Sequence, residues 1–169
     1  WILGSSYYPS EFKNWSPLLY WVTGAATAIL LFASVLLHEL GHSFVALRYG
    51  MTVRSITLFI FGGVAQLGAE PPSAKAELLI AMAGPVVSLG LAAGLSVIQP
   101  VLVSVEPLWG MSKYLAYINL ALALFNLIPG FPLDGGRVFR AMIWALTKNL
   151  RKATLIAANT GRFFGFLFI

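Results

Sequence analysis

Charge is absent from three long stretches of this chain: Ser16 to Leu37, Leu78 to Val105 and Tyr114 to Leu133. A helix needs about 20 mostly apolar residues to cross a bilayer, so each stretch is long enough to hold one. Flanking residues set approximate limits. Pro17 suits a helix start and Gly50 a stop, which gives a first span over 17–47. A second span runs over 76–98, ahead of Pro100, and a third over 113–127, ahead of Pro129. A fourth begins near Ala153, carries only Arg162 and is still apolar at Ile169. The expected architecture is an all-α polytopic membrane protein, a bundle of transmembrane helices.

One connection breaks the helical pattern. Thr52 to Leu67, TVRSITLFIFGGVAQL, is rich in β-branched and aromatic residues and holds Gly62 and Gly63 near its middle. That composition predicts a strand pair, or a strand with a bulge, between the first two spans. At membrane depth such backbone must be paired, buried in protein or set against a wet cavity. A small membrane-associated β region is therefore expected here. On span two, GLAAG (Gly90 to Gly94) offers a small-xxx-small face, for packing inside the bundle or for a dimer contact.

Composition strengthens this picture. The chain is 59% hydrophobic and 10% charged, with mean hydropathy +0.82, far from the balance of a water-soluble domain. No stretch near Trp1 has the basic start and cleavage pattern of a signal peptide. There are no cysteines, which excludes disulfides and thiolate metal ligands. The net charge of +5 does not require nucleic acid as a partner, because the basic residues collect in loops. Arg48, Arg54 and Lys75 lie between spans one and two, and only Lys113 lies between two and three. Arg137, Arg140, Lys148, Arg151 and Lys152 follow span three. The positive-inside rule then puts the first loop and the segment after span three in the cytoplasm.

The candidate chemistry sits at the inner end of span one. His38, Glu39 and His42, within LLHELGH, include the only two histidines of the chain. Residues four apart on a helix leave the same face one turn apart, so the two imidazoles can share one zinc ion. Glu39 stands next to a ligand and can act as general base on a water held there. Interhelical hydrogen bonding is the bland alternative for an intramembrane histidine. Three ionisable groups in this spacing within an apolar run favour function.

A catalytic zinc takes three protein ligands and keeps one position open. With cysteine absent and both histidines used, the third ligand is a carboxylate. Glu11 and Glu106 fall on the outer side, and Glu70 and Glu77 flank Pro71 and Pro72 in the cytoplasmic loop. Asp134, the only aspartate, follows directly on the third charge-free run, at the level of His38 and His42. Elimination leaves Asp134. The prolines and glycines of FNLIPGFPLDGG predict a break there, with a helix restarting near Gly135. Asp134 would also suit an N-cap.

Taken together, HELGH (38–42) and NLIPGFPLDGG (126–136) resemble the motifs of the site-2 protease family of intramembrane zinc metalloproteases, with AGPVVS (83–88) and FGGVAQ (61–66) as supporting features. The resemblance runs from span one into the fourth. It implies that His38, His42 and Asp134 bind one zinc ion and that Glu39 is the general base. Asn126 matches the asparagine of the second motif, which either positions substrate or packs as a polar group. The implied activity is hydrolysis of a peptide bond within or near transmembrane segments of other membrane proteins, with those segments and the bilayer as partners. The implied core has six helices. Residues 1–169 read as that protease core without most of its first helix and its end. The loops are too short to hold a PDZ domain. Two rivals stand beside this reading. A non-proteolytic zinc-binding membrane protein, a transporter or an inactive scaffold, has no need of Glu39 beside a ligand. A protease with a glutamate third ligand would want a glutamate after Glu106, and none follows.

Overall fold

The computed structural model describes the backbone of residues 1–59, 62–67 and 70–167, and side chains outside 54–69 and 164–169. A π-helical turn, Leu3–Tyr7, and the short helix α1, Tyr8–Glu11, lead into α2, Pro17–Arg48. Ser16 caps α2 by accepting from the Leu19 N–H at 3.3 Å, and Pro17 occupies the first turn, where its missing N–H costs nothing. The helix ends at Tyr49, and Gly50 follows at φ +72°, a left-handed conformation open to glycine.

The polarity of α2 is the reverse of a water-soluble helix. Its buried positions are Thr23, Gly24, Thr27, Ser34, His38, Glu39, His42, Ser43 and Ala46. Its large apolar side chains face outward, with Ile29 70% and Phe44 58% exposed. Water would drive such side chains inward, whereas a hydrocarbon surround leaves them nothing to gain by burial. Inside, Thr27 and Ser34 donate back to the carbonyls of Thr23 and Leu30, and Tyr8 bonds Thr27 at 2.6 Å.

Between α2 and the next helix the backbone forms an antiparallel pair, β1 (Val53–Phe59) with β2 (Gly62–Leu67). Phe59 pairs with Gly62, and the register shifts between Val53 and Ser55. The connecting residues 60 and 61 lie outside the described residues, and with them Phe61 of the FGGVAQ motif. Helix α3, Ala74–Leu102, is capped by Ser73, which accepts from the Ala76 N–H at 3.2 Å. It continues past Ile98 and takes Pro100 into its last turn, rather than stopping ahead of it. There the proline removes the bond that a residue 100 N–H would make to the Ser96 carbonyl. Pro85 lies in its interior.

Helix α4 spans Glu106–Asn126, opening seven residues before the first residue expected, Lys113. Its first turns are tied to the segment ahead of α2: the Trp15 indole donates to Glu106 at 2.7 Å and Lys113 pairs with Glu11 at 2.6 Å. An irregular turn over 127–133 leads to α5, Asp134–Thr147, and then to α6, Leu150–Leu167. Lys148 at φ 56° ends α5, and the Asn149 side chain caps the start of α6. Helix α3 is central, packed against α2, α4 and α5, while α6 packs on α5. Among the described residues, α2 and α3 are the helices long and apolar enough to cross a membrane. Helix α4 begins with Glu106 and Lys113, and α6 carries Arg151, Lys152 and Arg162.

Among the described residues, the small-residue face at Gly90 and Gly94 makes no close packing contact. A Cβ added at either would meet nothing within 4 Å. Close approach between α2 and α3 is made instead at Gly41, where a Cβ would stand 2.9 Å from Val87 and 3.1 Å from the Ala83 carbonyl. Just beyond, Ala46, Met51 and Ile80 form a small apolar core with Val45, Tyr49 and Val53.

Candidate metal centre

His38 and His42 leave the buried face of α2 one turn apart, 3% and 4% exposed. Asp134 reaches them from the first residue of α5. The turn over 127–133 makes this possible because α5 starts in contact with it. A Cβ at Gly135 would meet the carbonyl oxygens of Leu127 and Ile128, and one at Gly136 would meet Gly130 and Phe131. The two glycines let the turn lie against the helix start, and Asp134 is brought to α2 by that contact.

Asp134 Oδ2 lies 3.1 Å from His38 Nε2 and 3.1 Å from His42 Nε2, and the two Nε2 atoms are 3.2 Å apart. The opposite ring nitrogens are held by α3. His42 Nδ1 lies 2.6 Å from the Ile80 carbonyl, which can only accept, so the ring donates there. His38 Nδ1 lies 2.9 Å from the Ser88 hydroxyl, which can accept in the same way. Neutral rings in these tautomers turn bare Nε2 lone pairs towards a carboxylate oxygen. Three electron-pair donors at such separations repel one another unless a cation lies among them. Ligands about 2.0–2.1 Å from a tetrahedral zinc stand about 3.3 Å from each other, close to the separations here. The donor set and its spacing therefore fit a metal ion, with each histidine oriented by an outer partner in the manner of metal sites.

Helix α3 also makes room. Gly84 faces the two rings, and a Cβ there would collide with Nε2 of both. Pro85 leaves the Ala81 carbonyl without its intrahelical donor, next to the Ile80 carbonyl that accepts from His42. Glu39, 6% exposed, is buried on α2 beside the pair. The structure thus gathers His38, His42 and Asp134, with Glu39 adjacent in the chain. Asn126 ends α4 and donates to the Leu122 carbonyl of its own helix at 3.0 Å.

Several supporting residues escaped the sequence reading. AGPVVS stood out as a motif, but nothing local in it says that Gly84 clears space for two rings or that Ser88 holds one of them. Glu77 was set among the loop acids. It lies instead in the first turn of α3, 0% exposed, with its Oε1 accepting from Arg140 Nε at 2.6 Å. The two are far apart in sequence, and only the packing of α5 on α3 brings them together.

Proteins of known family resemble this chain over most of its length. A Synechocystis sp. protein provisionally named a zinc metalloprotease is 50% identical over 88% of this chain and 39% of its own length. A zinc metalloprotease of Methanocaldococcus jannaschii is 42% identical over 82% of this chain and 40% of its own. The chain thus spans about two fifths of the length of these curated relatives. Among solved structures, the site-2 protease from M. jannaschii superposes with a TM-score of 0.67 at 40% identity, over 82% of this chain and 63% of that one. The family model described as peptidase family M50 matches residues 26–108 and 103–168, a region that takes in HELGH, Gly84, Ser88 and Asp134. With HELGH and Asp134 both inside the matched region, this chain belongs to peptidase family M50.

Proposed function

We propose that this chain is the membrane-embedded core of a zinc metalloendopeptidase of the site-2 type. Its substrate is a peptide bond within or near a transmembrane segment of another membrane protein, as in regulated intramembrane proteolysis. The observation that carries this reading is the convergence of His38 Nε2, His42 Nε2 and Asp134 Oδ2 on the inward, polar side of a helix whose apolar side chains face out. The names of the relatives, zinc metalloprotease and site-2 protease, support the metal and the reaction.

His38, His42 and Asp134 are the ligands of one zinc ion per chain. When bound, zinc supplies Lewis acidity, loosening the proton of a water and polarising the scissile carbonyl. Glu39 takes the proton from the attacking water and returns it to the leaving amine. Ser88 and the Ile80 carbonyl keep the two rings in the tautomer that leaves Nε2 unprotonated. A helical substrate hides its carbonyls in i→i−4 bonds and must unwind locally before attack. The β1–β2 pair, as a membrane-associated element, offers an edge on which unwound substrate can lie as an added strand. Asn126, at the end of α4, is read as a substrate-positioning group from the family motif, with packing as a polar group the alternative role.

The chain is read as multi-pass. The outward apolar faces of α2 and α3 support membrane crossing, with α4 and α6 as further spans. The distribution of lysine and arginine supports a cytoplasmic β1–β2 connection and a site nearer that face, from which water reaches it. A transporter gives no reason for a buried glutamate beside a ligand, which favours hydrolysis over that rival.

The test is Glu39→Gln in the full-length protein, reconstituted with a membrane-protein substrate. Glutamine keeps the shape and cannot take the proton. The variant should fold, retain zinc and lose cleavage by about 10²–10⁴-fold, the usual contribution of a general base. Cleavage within a few-fold of the parent would remove Glu39 from that role.

A further inference from the structure

The three candidate ligands come from two elements. His38 and His42 share α2, so their spacing is set by one helix turn. Asp134 arrives on α5, and its position depends on how α5 is docked. Helix α3 is where these dependencies meet. Glu77, Ile80, Gly84 and Ser88 recur along one buried face of α3 at helical spacing. Ser88 and Ile80 hold the rings, and Gly84 admits them. Glu77, at the start of the same stripe, bonds α5 through Arg140.

That contact is an ion pair in a costly place. Glu77 is 0% exposed, and Arg140 bonds its Oε1 through both Nε, at 2.6 Å, and a terminal guanidinium nitrogen. Oε2 is buried with no hydrogen-bond partner among the described residues. The Arg140 guanidinium also stands 5.7 Å over the ring of Phe131, in the turn that delivers Asp134. One side chain thus links α3, the turn over 127–133 and α5, less than two helical turns from the ligand. A buried pair is a poor device for stability alone, because well-packed apolar residues often do as well. Two nitrogens of one planar guanidinium converge on a single carboxylate oxygen, which fixes the direction of approach as an apolar contact does not.

We propose that the Glu77–Arg140 pair is a positioning device for Asp134, holding α5 in the register on α3 that brings the carboxylate to the two imidazoles. This rests on the zinc reading above, in which Asp134 is a ligand.

The test uses full-length protein in detergent with cobalt(II) as the probe, read by its visible spectrum and by competition with a chelator, alongside thermal melting. Three variants are compared with the parent: Glu77→Gln, Arg140→Lys, and the double Glu77→Leu/Arg140→Met. The double removes both charges, so neither is left orphaned and folding does not decide the outcome. The expected result is a parent-like melting temperature for the double and cobalt affinity at least about tenfold lower in all three, the scale of lost outer-partner contacts. The tetrahedral cobalt bands should also weaken. Parent-like cobalt affinity and spectrum in the double would overturn the proposal and leave the pair as a staple between helices. A parent that bound no cobalt would defeat the zinc reading itself, and this inference with it. His38→Ala, expected to abolish binding, marks that separate failure.

Discussion

At the scale of single residues, the site depends as much on what is missing as on what is present. Gly84 supplies no ligand, yet the two Nε2 atoms occupy the space its side chain would take. Gly84→Ala should therefore push the rings apart. The expected outcome is a loss of about 1–3 kcal/mol in stability, the usual range for overpacking, together with weakened zinc binding. Thermal melting and metal analysis of the purified variant check both, and parent-like zinc content would show that the rings do not need that space. The cluster of candidate ligands was legible in the sequence, because two histidines at i and i+4 and a lone aspartate after an apolar run carry their chemistry in their types and spacing. Gly84 and Ser88 were not, since a glycine or serine in a helix says nothing of what the facing helix presents. Glu77 was misplaced for a related reason. An acid near a proline pair looks like a loop residue until its partner, Arg140, is known.

At the scale of elements, the long helices were legible because charge-free runs and proline or glycine boundaries are local signals. Their ends were less so. Pro100 falls inside α3 and Glu106 opens α4 ahead of Lys113, since a helix end is a weaker local signal than the apolar run it closes. Gly90 and Gly94 carry a packing signature, yet among the described residues a Cβ at either would meet nothing within 4 Å. The start of α5 is the element whose placement matters most. Its two glycines lie against backbone atoms of the preceding turn, and backbone cannot rotate aside as a side chain can. Gly135→Ala should displace Asp134 from α2. A lower melting temperature and reduced zinc content are expected together, and retention of full zinc would show that the turn and helix start can separate without moving the ligand.

At the scale of the whole molecule, the inward polar face of α2 and its outward apolar face need one explanation. A hydrocarbon surround gives it. The helix runs ten residues beyond His38 to Arg48, about 15 Å at 1.5 Å per residue. The site should then lie within the bilayer, nearer the face that the lysine and arginine count marks as cytoplasmic. Single cysteines beside His38 in a metal-free variant should react with small water-soluble thiol reagents added from the cytoplasm, more slowly than one at Gly50. Faster labelling from the opposite face would reverse the orientation and the water route with it.

The central claim is that two imidazoles from α2 and one carboxylate from α5 hold a catalytic zinc. Metal analysis of the full-length protein, purified without added metal, tests it most directly when the parent and Asp134→Asn are compared side by side. Asparagine keeps the size of the side chain and gives up its charge. The account predicts one zinc per chain in the parent, and for Asp134→Asn a loss of affinity beyond the roughly 10–100-fold that outer partners cost. A parent without zinc, or an Asp134→Asn variant with full zinc and full proteolysis, would contradict it.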